Sequence, residues 1–244
     1  MSDRKQLIKR VESGIPGLDE MLKGGFFENT VNVVSGPSGV GKTILGSQFL
    51  YEGIKKGQKT MCILTSEDSS FIKKEMYTSF GWDFWDLEEQ GKISFVDIAD
   101  PALRLQKSVE VAPIELIKSF KKLIESKIAS EKPERVFIDS SEALFLAIES
   151  PYKLRSLVDD LFGVLHDSGA TAIVTVANMY GIDSIVEYGA DSVLRIGRIM
   201  SGNTMQRSIQ VIKLRGSGTI NEMRVLNVSD TGMTVLAQSP YINH

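Results

Sequence analysis

The chain has 244 residues, of which 42% are hydrophobic and 24% charged, and this ordinary globular composition excludes a disordered or low-complexity chain. The net charge of −3 exerts no overall attraction on nucleic acid, so nucleic-acid binding is possible but unsupported by charge. No run approaches the ~20 apolar residues of a membrane span and no signal peptide is visible, so we expect a cytoplasmic protein with no membrane partner.

Apolar, β-branched runs alternate along the chain with segments of helical spacing. The single cysteine, Cys62, lies in one of the apolar runs, where we expect it to be buried. Short apolar strands separated by helices predict a mostly parallel sheet with helices on both faces. The predicted strands are 30–36, 60–66, 92–98, 135–141 and 171–178; the predicted helices are 42–57, 70–82, 113–132 and 152–169, with a long irregular stretch before Pro113.

The pattern changes in the last part of the chain. Two strand-like runs flank the turn 201–204 and predict an antiparallel hairpin on the sheet edge, and 224–237 predicts a second hairpin. No repeat or linker is visible. We therefore predict a single α/β domain over residues 1–244, with an N-terminal segment at 1–25 and a C-terminal hairpin region at 192–237.

Residues 36–43, GPSGVGKT, match the full phosphate-loop pattern G-x-x-x-x-G-K-[ST] between a predicted strand and a predicted helix. Its glycines let backbone N–H groups face phosphate oxygens, and the helix N-terminus adds partial positive charge. Lys42 is suited to the β and γ phosphates and the Thr43 hydroxyl to Mg²⁺. The predicted nucleotide-binding residues are Gly36, Pro37, Ser38, Gly39, Val40, Gly41, Lys42, Thr43 and Ile44; the alternative is a glycine turn that only joins strand to helix.

An acidic residue, Asp139, ends the run RVFID (135–139) within the strand predicted at 135–141. Because the carboxyl ends of neighbouring parallel strands converge on the ligand crevice, we expect Asp139 beside Thr43 as the second metal ligand. The alternative is an ordinary turn residue.

Two further acids, Glu67 and Asp68, follow the strand at 60–66. A carboxylate there could orient the water that attacks the γ-phosphate. The alternative is a helix start, in which Asp68 or Ser69 is the N-cap and Glu67 is solvated. Both can hold, one for each acid; Glu67 has the longer reach and is our first candidate for the catalytic base, with Asp68 second.

Taken in order, these motifs resemble those of the RecA-like ATPases, and among them the single-domain KaiC-like proteins. The resemblance runs from about Val11 to Leu236 through SGIPGLDEMLKGGF, GPSGVGKT, TSEDSS, VFIDS, IKLRGSG and VSDTG. It implies a RecA-like fold, ATP or ADP with Mg²⁺ as cofactors, ATP hydrolysis and a homohexameric ring. No protein client is indicated.

The resemblance also implies roles for individual residues. Ser79 would lie near the nucleotide, and the segment of Lys213, Leu214 and Arg215 would reach the γ-phosphate bound to the neighbouring subunit. Asp230 would lie near the nucleotide across that same interface.

The chain departs from clock-type KaiC at Asp68, where clock-type KaiC has a glutamate, and in the segment ahead of Asp191. Glu187 and Tyr188 stand where the autophosphorylating domain of clock-type KaiC has a Ser–Thr pair, ahead of Asp191. The resemblance therefore does not extend to a phosphorylation cycle.

Basic residues cluster in the predicted hairpin: Arg195, Arg198, Arg207, Lys213 and Arg215. Exposed strand cations can simply blunt a sheet edge, which is our interpretation of the first three. For the last two, the resemblance favours charge stabilisation in trans. Two other functions stay open: a DNA recombination or repair accessory ATPase, with residues 178–190 lining the pore of a ring, and a nucleotide-sensing adaptor with little hydrolysis.

Overall fold

The structure is a computed structural model and describes residues 9–98, 113–201, 203–217 and 222–237, together with residue 239. The strands are β1 (Arg10–Val11), β2 (Phe26–Phe27), β3 (Val31–Gly36), β4 (Thr60–Leu64), β5 (Ile93–Asp97), β6 (Arg135–Asp139), β7 (Thr171–Ala177), β8 (Ser192–Ser201), β9 (Thr204–Leu214), β10 (Met223–Ser229) and β11 (Gly232–Val235). The helices are α1 (Leu18–Met21), α2 (Lys42–Lys55), α3 (Ser69–Phe80), α4 (Phe84–Glu89), α5 (Pro113–Glu131), α6 (Glu142–Phe145), α7 (Pro151–Asp167) and α8 (Ile182–Gly189).

One large sheet organises the described chain, and its strand order is β11-β10-β9-β8-β3-β7-β6-β4-β5. The six strands from β8 to β5 in that order run parallel, whereas β9, β10 and β11 add antiparallel pairs. Every residue of β3, β4 and β6 is buried, as expected for parallel strands covered on both faces. The predicted α/β fold with a mostly parallel sheet is confirmed.

Alternate residues of the central strands enter two separate cores, one on each face of the sheet. Helices α5, α7 and α8 cover one face, where Ile124, Val158 and Val186 pack. The other face carries α2 and α3 and contains Phe49 and Cys62. Burial raises the pKa of the Cys62 thiol well above its usual range, in keeping with its predicted role as buried filler.

The predicted elements are all present, with ends displaced by at most two residues. The position of the first hairpin was predicted wrongly, because β8 pairs with β3 inside the sheet and β10 and β11 lie outside it. Residues 178–190 also differ from the expected loop, since helix α8 occupies 182–189 and buries Ile182 and Val186 one turn apart. The predicted irregular stretch at 99–112 lies outside the described residues.

Short elements that the sequence pattern did not reveal are β1, β2, α1, α4 and α6. Each has six residues or fewer, too short to establish a period. Within the described ranges, no helix has the length and apolar character needed to cross a bilayer.

The buried side-chain amide of Gln48 links the edge strand β11 to α2 and to the N-terminal segment. Gln48 of α2 accepts a hydrogen bond from the Met233 N–H (2.6 Å) and donates to the carbonyl oxygens of Met233 (3.1 Å) and Gly14 (2.8 Å). The N–H of Val235 donates to the Pro16 carbonyl oxygen at 2.8 Å. These hydrogen bonds pair part of the outer backbone edge of β11, and they hold the N-terminal segment against α2.

Gln48→Ala should lower the free energy of unfolding by about 1–3 kcal/mol, because it leaves the buried Met233 N–H without its acceptor. Urea denaturation measures the change. The matched control is Gln90→Ala, whose exposed amide bonds only to Asp86 at the end of α4 and should change stability by less than about 0.5 kcal/mol. Equal stability of the two variants would contradict this account of β11.

Candidate functional site

The phosphate-loop sequence forms a tight turn between β3 and α2. A Cβ atom on Gly36 would lie 2.1 Å from the carbonyl oxygen of Ile196, so the loop leaves β3 where β8 passes too closely for a side chain. Gly41 has φ 107° and precedes the first residue of α2, a conformation that favours glycine. The loop surrounds one end of a cavity of about 510 Å³. Its residues Ser38, Gly39, Gly41, Lys42, Thr43 and Ile44 line that cavity, whereas the Val40 side chain is buried in the core.

The Lys42 ammonium lies across its own loop. Its Nζ donates to the carbonyl oxygens of Gly36 at 2.8 Å and Pro37 at 2.9 Å. Burial lowers the pKa of Lys42, while the carboxylates of Glu142 and Asp139 act in the opposite direction. These two acceptors are neutral carbonyls, so they leave the charge of Lys42 available to an anion in the cavity.

Asp139, at the end of β6, and Thr43, in the first turn of α2, are hydrogen-bonded to each other. The Thr43 hydroxyl donates to Asp139 Oδ2 at 2.7 Å, and the hydroxyl of Thr175, on the intervening strand β7, donates to Oδ1. Burial raises the pKa of the Asp139 carboxyl, and the hydrogen bonds from Thr175 and Thr43 and the charge of Lys42 oppose that rise. The expected position of Asp139 beside Thr43 is confirmed, and its metal role stays a prediction.

The oxygen atoms of Thr43 and Asp139 fit a magnesium ion. Hydroxyl and carboxylate oxygens are the hard donors that Mg²⁺ prefers, and Mg²⁺ is usually held by one or two protein oxygens together with substrate phosphates. Among the residues that the structure describes, no group of three or more His, Cys, Asp or Glu side chains forms an all-protein cage. The donor set therefore fits an ion that arrives with a phosphate ligand.

The two acids after β4 have different surroundings. Asp68 is the N-cap of α3 and accepts a hydrogen bond from the Ser70 N–H at 2.7 Å, which contributes to a lowered pKa of its carboxyl. Glu67 lines the cavity beside the phosphate loop. Its pKa is raised by burial and by the negative charges of Asp139 and Glu75. The structure thus gives Asp68 the capping position and leaves Glu67 facing the cavity.

Lys213 and Arg215 lie at the other end of the sheet. Leu214, between them, is opposite Ser192, which pairs with Asn32 near the start of β3. The phosphate loop begins four residues further along β3, which is about 13 Å at 3.3 Å per residue. Neither cation is therefore close to the phosphate loop of its own chain.

Both cations are held by groups near α8. Lys213 Nζ donates to the carbonyl oxygen of Tyr188 at 3.0 Å and of Glu187 at 3.4 Å. Burial and the neighbouring charge of Arg215 lower the pKa of Lys213. The Arg215 guanidinium lies 3.5 Å from Asp191 Oδ1. The segment matched to the autophosphorylation site of clock-type KaiC thus holds the two cations.

Ser79 and Asp230 are outside the cavity around the phosphate loop. Ser79 is exposed in the last turn of α3. Asp230 lies in the turn between β10 and β11, next to Gly232, whose backbone packs against Gln48 of α2. This turn is at the phosphate-loop end of the sheet, away from Lys213 and Arg215, and the roles of Ser79 and Asp230 near a nucleotide stay predictions.

Glu142 is a cavity residue that the sequence pattern did not reveal. It begins the short helix α6 after β6, accepts a hydrogen bond from the Ala177 N–H at 3.0 Å and acts on the charge of Lys42. The signal in the sequence that could have identified Glu142 was its position, three residues after Asp139 and the end of β6.

The three arginines assigned to edge protection do not lie on an edge strand, so that interpretation was wrong. Arg195 forms an ion pair with Glu187 at 2.9 Å. Arg198 donates to the Gly39 carbonyl oxygen at 3.0 Å, and Arg207 lines the cavity.

Comparisons with known proteins agree with this geometry. A family model described as "ATPase: KaiC" matches residues 11–240. A UPF0273 protein of Pyrococcus horikoshii is 31% identical over 236 residues, covering 94% of each chain. The circadian clock protein KaiC3 of Synechocystis is 32% identical over 216 residues, covering 86% of this chain and 42% of the clock protein. The crystal structure of a KaiC-like protein of P. horikoshii superimposes with a TM-score of 0.79 at 28% identity, covering 94% of this chain and 99% of that one.

Proposed function

The chain belongs to the single-domain KaiC-like proteins, a family of RecA-fold ATPases, and on that premise we propose that it hydrolyses MgATP in a homohexameric ring with its sites completed at subunit interfaces. The observation that carries the proposal is the Thr43–Asp139 hydrogen bond of 2.7 Å at the rim of the cavity that Lys42 and Glu67 also line. These four groups are what MgATP hydrolysis requires of one subunit.

The reaction is the attack of water on the γ-phosphorus with cleavage of the bond to the β–γ bridging oxygen. Backbone N–H groups of the phosphate loop and the Lys42 ammonium would bind the β and γ phosphates. Thr43 and Asp139 would hold Mg²⁺, which neutralises charge that develops on the phosphate oxygens.

Glu67 would accept a hydrogen bond from the attacking water and orient it. Its raised pKa makes it a stronger base than an ordinary glutamate. Asp68 is a poorer candidate, because its carboxylate is already the acceptor at the start of α3.

The charge that completes the site would come from the neighbouring subunit. Lys213 and Arg215 lie at the end of the sheet opposite their own phosphate loop, so they are suited to act on the nucleotide of another copy. An arginine supplied in trans stabilises the transition-state charge in other phosphate-loop enzymes. Hydrolysis would then depend on assembly.

Phosphate release from ATP, measured against protein concentration with particle size followed in parallel, tests the proposal. We expect the rate per subunit to rise as rings form, to require Mg²⁺, and to be absent in Lys42→Ala, which lacks the loop cation. Single-stranded DNA is added in a second series, and stimulation that weakens with salt would favour the recombination accessory. ATP binding without phosphate release by assembled rings would favour the nucleotide-sensing adaptor.

Glu67→Gln should lower turnover by about 10²-fold or more while nucleotide binding and assembly are retained, because the amide cannot act as the base. Asp68→Asn is the matched control: asparagine caps helices about as well as aspartate, so α3 should keep its start and turnover should change little. If Asp68→Asn is the slower of the two, the roles of the acids are reversed.

Arg215→Ala should bind ATP through its intact phosphate loop yet hydrolyse it poorly, and Lys42→Ala subunits should restore activity on mixing. At a mixed interface the Lys42→Ala subunit supplies a good Arg215 to the intact loop of its neighbour, so one complete site forms from two inactive chains. Subunit exchange is verified with labelled chains. Persistent inactivity after proven exchange would mean that Arg215 does not act in trans.

A further inference from the structure

Asp191 joins three elements at the end of the sheet that carries Arg215. Its backbone N–H donates to the carbonyl oxygen of Val31, at the start of β3, at 2.8 Å, and its own carbonyl oxygen accepts from the Arg215 N–H at 2.9 Å. His166, near the end of α7, lies 2.7 Å from its carboxylate. Asp191 therefore fixes the main chain of Arg215, directly after β9, relative to β3 and α7.

The two oxygen atoms of the Asp191 carboxylate have separate partners. Oδ2 accepts a hydrogen bond from the Val31 N–H at 2.9 Å and lies 2.7 Å from His166 Nε2. Oδ1 lies 3.5 Å from the Arg215 guanidinium. Because β3 and α7 together hold Oδ2, the carboxylate has a fixed orientation and Oδ1 stays directed toward Arg215.

The Arg215 guanidinium keeps donors for a second anion. Its side chain is 56% exposed, whereas that of Asp191 is 18% exposed. A guanidinium has five N–H donors in a planar fork, so a carboxylate at one edge leaves donors for a phosphate at another. An ion pair with one exposed partner contributes little to stability, so the main consequence of this pair is the orientation of the guanidinium.

Lys213 is held in a different way. Its Nζ donates to the carbonyl oxygens of Glu187 and Tyr188 at the C-terminal end of α8, where a cation also interacts favourably with the helix dipole. The charge of Asp191 acts on Lys213 too, and opposes the lowering of its pKa by burial and by Arg215. Backbone carbonyls nevertheless set the position of Lys213, whereas the Asp191 carboxylate sets that of Arg215.

We propose that Asp191 is a positioning residue, which orients Arg215 toward the γ-phosphate of the nucleotide bound to the neighbouring subunit. This inference rests on the proposed function, because it requires Arg215 to act in trans. The effect of Asp191 then belongs to the subunit that supplies Arg215 and not to the subunit that holds the nucleotide. A general structural role has no such direction.

Mixed rings test this direction. The receiving chain carries Arg215→Ala and has an intact phosphate loop; the supplying chain carries Lys42→Ala and has an intact Arg215. Asp191→Asn is added to one chain or to the other, and phosphate release is measured. Asparagine keeps an oxygen acceptor for the Val31 N–H but removes the negative charge beside Arg215.

In the supplying chain, Asp191→Asn should lower the restored rate about 10-fold, within the loss of about 100-fold that misplacement of a reacting group can cause. In the receiving chain, the same substitution should leave the restored rate unchanged, because that chain has no Arg215 to position. Uniform rings of Asp191→Asn should show the same loss of turnover with ATP affinity unchanged.

Two further variants control for damage to the fold. Asp159→Asn removes an exposed carboxylate of α7 that pairs with Arg155 at 2.8 Å, and the supplying chain that carries it should restore activity fully. His166→Ala removes one partner of Oδ2 and leaves the hydrogen bond from Val31. In the supplying chain it should give a smaller loss than Asp191→Asn, and it decides the question if Asp191→Asn does not assemble.

Assembly is followed in every mixture with labelled chains. An unchanged rate with Asp191→Asn in the supplying chain, or an equal loss from both placements, would overturn the inference. A higher rate would also overturn it, because the carboxylate would then compete with phosphate for Arg215. If Arg215→Ala and Lys42→Ala chains alone restore no activity after proven exchange, the trans action of Arg215 fails, and the inference fails with it.

Discussion

The burial of one carboxylate, Asp139, is the constraint on which the arrangement of the site depends. Only 7% of its surface is exposed, and an ionised carboxylate in that position needs hydrogen bonds and nearby positive charge. Thr43 from the start of α2 and Thr175 from β7 supply the hydrogen bonds, and Lys42 supplies the charge. The strands β3, β7 and β6 therefore bring their residues to the same functional group, and a shift of any one of them would remove at least one of these contacts.

The strand directions of the same sheet also separate the phosphate loop from Lys213 and Arg215. Parallel strands bring the phosphate loop, Asp139 and Glu67 to their carboxyl ends. The antiparallel return of β9 carries the chain back to the amino end of β3, and Lys213 and Arg215 are placed there. In the proposed ring, a hairpin inside the sheet would thus give one subunit both a site to be completed and the means to complete another.

The parts of this protein that could be predicted from sequence are those fixed by local pattern. Short apolar runs define β3, β4 and β6, and GPSGVGKT contains the whole phosphate loop. The assignment of Asp68 to a cap and Glu67 to the cavity also followed from local chemistry. The position of the first hairpin could not be predicted, because the sequence pattern of its strands is the same whether they pair with β3 or lie at an edge. Arg198 was misinterpreted for that reason: its hydrogen bond to Gly39 exists only once β8 lies beside β3.

The hairpin also explains why glycine is required where β3 becomes the loop. β8 passes Gly36 so closely that a Cβ there would meet the Ile196 carbonyl oxygen at 2.1 Å, and Arg198, two residues later, bonds to the loop at Gly39. The loop therefore touches the hairpin at its beginning and near its middle. Any change in the loop that accompanies phosphate binding must be accommodated by β8, and β8 is joined along its whole length to β9. Since β9 ends at Lys213 and Leu214, at the other end of the sheet, the hairpin is a direct covalent and hydrogen-bonded connection between the phosphate loop and that end.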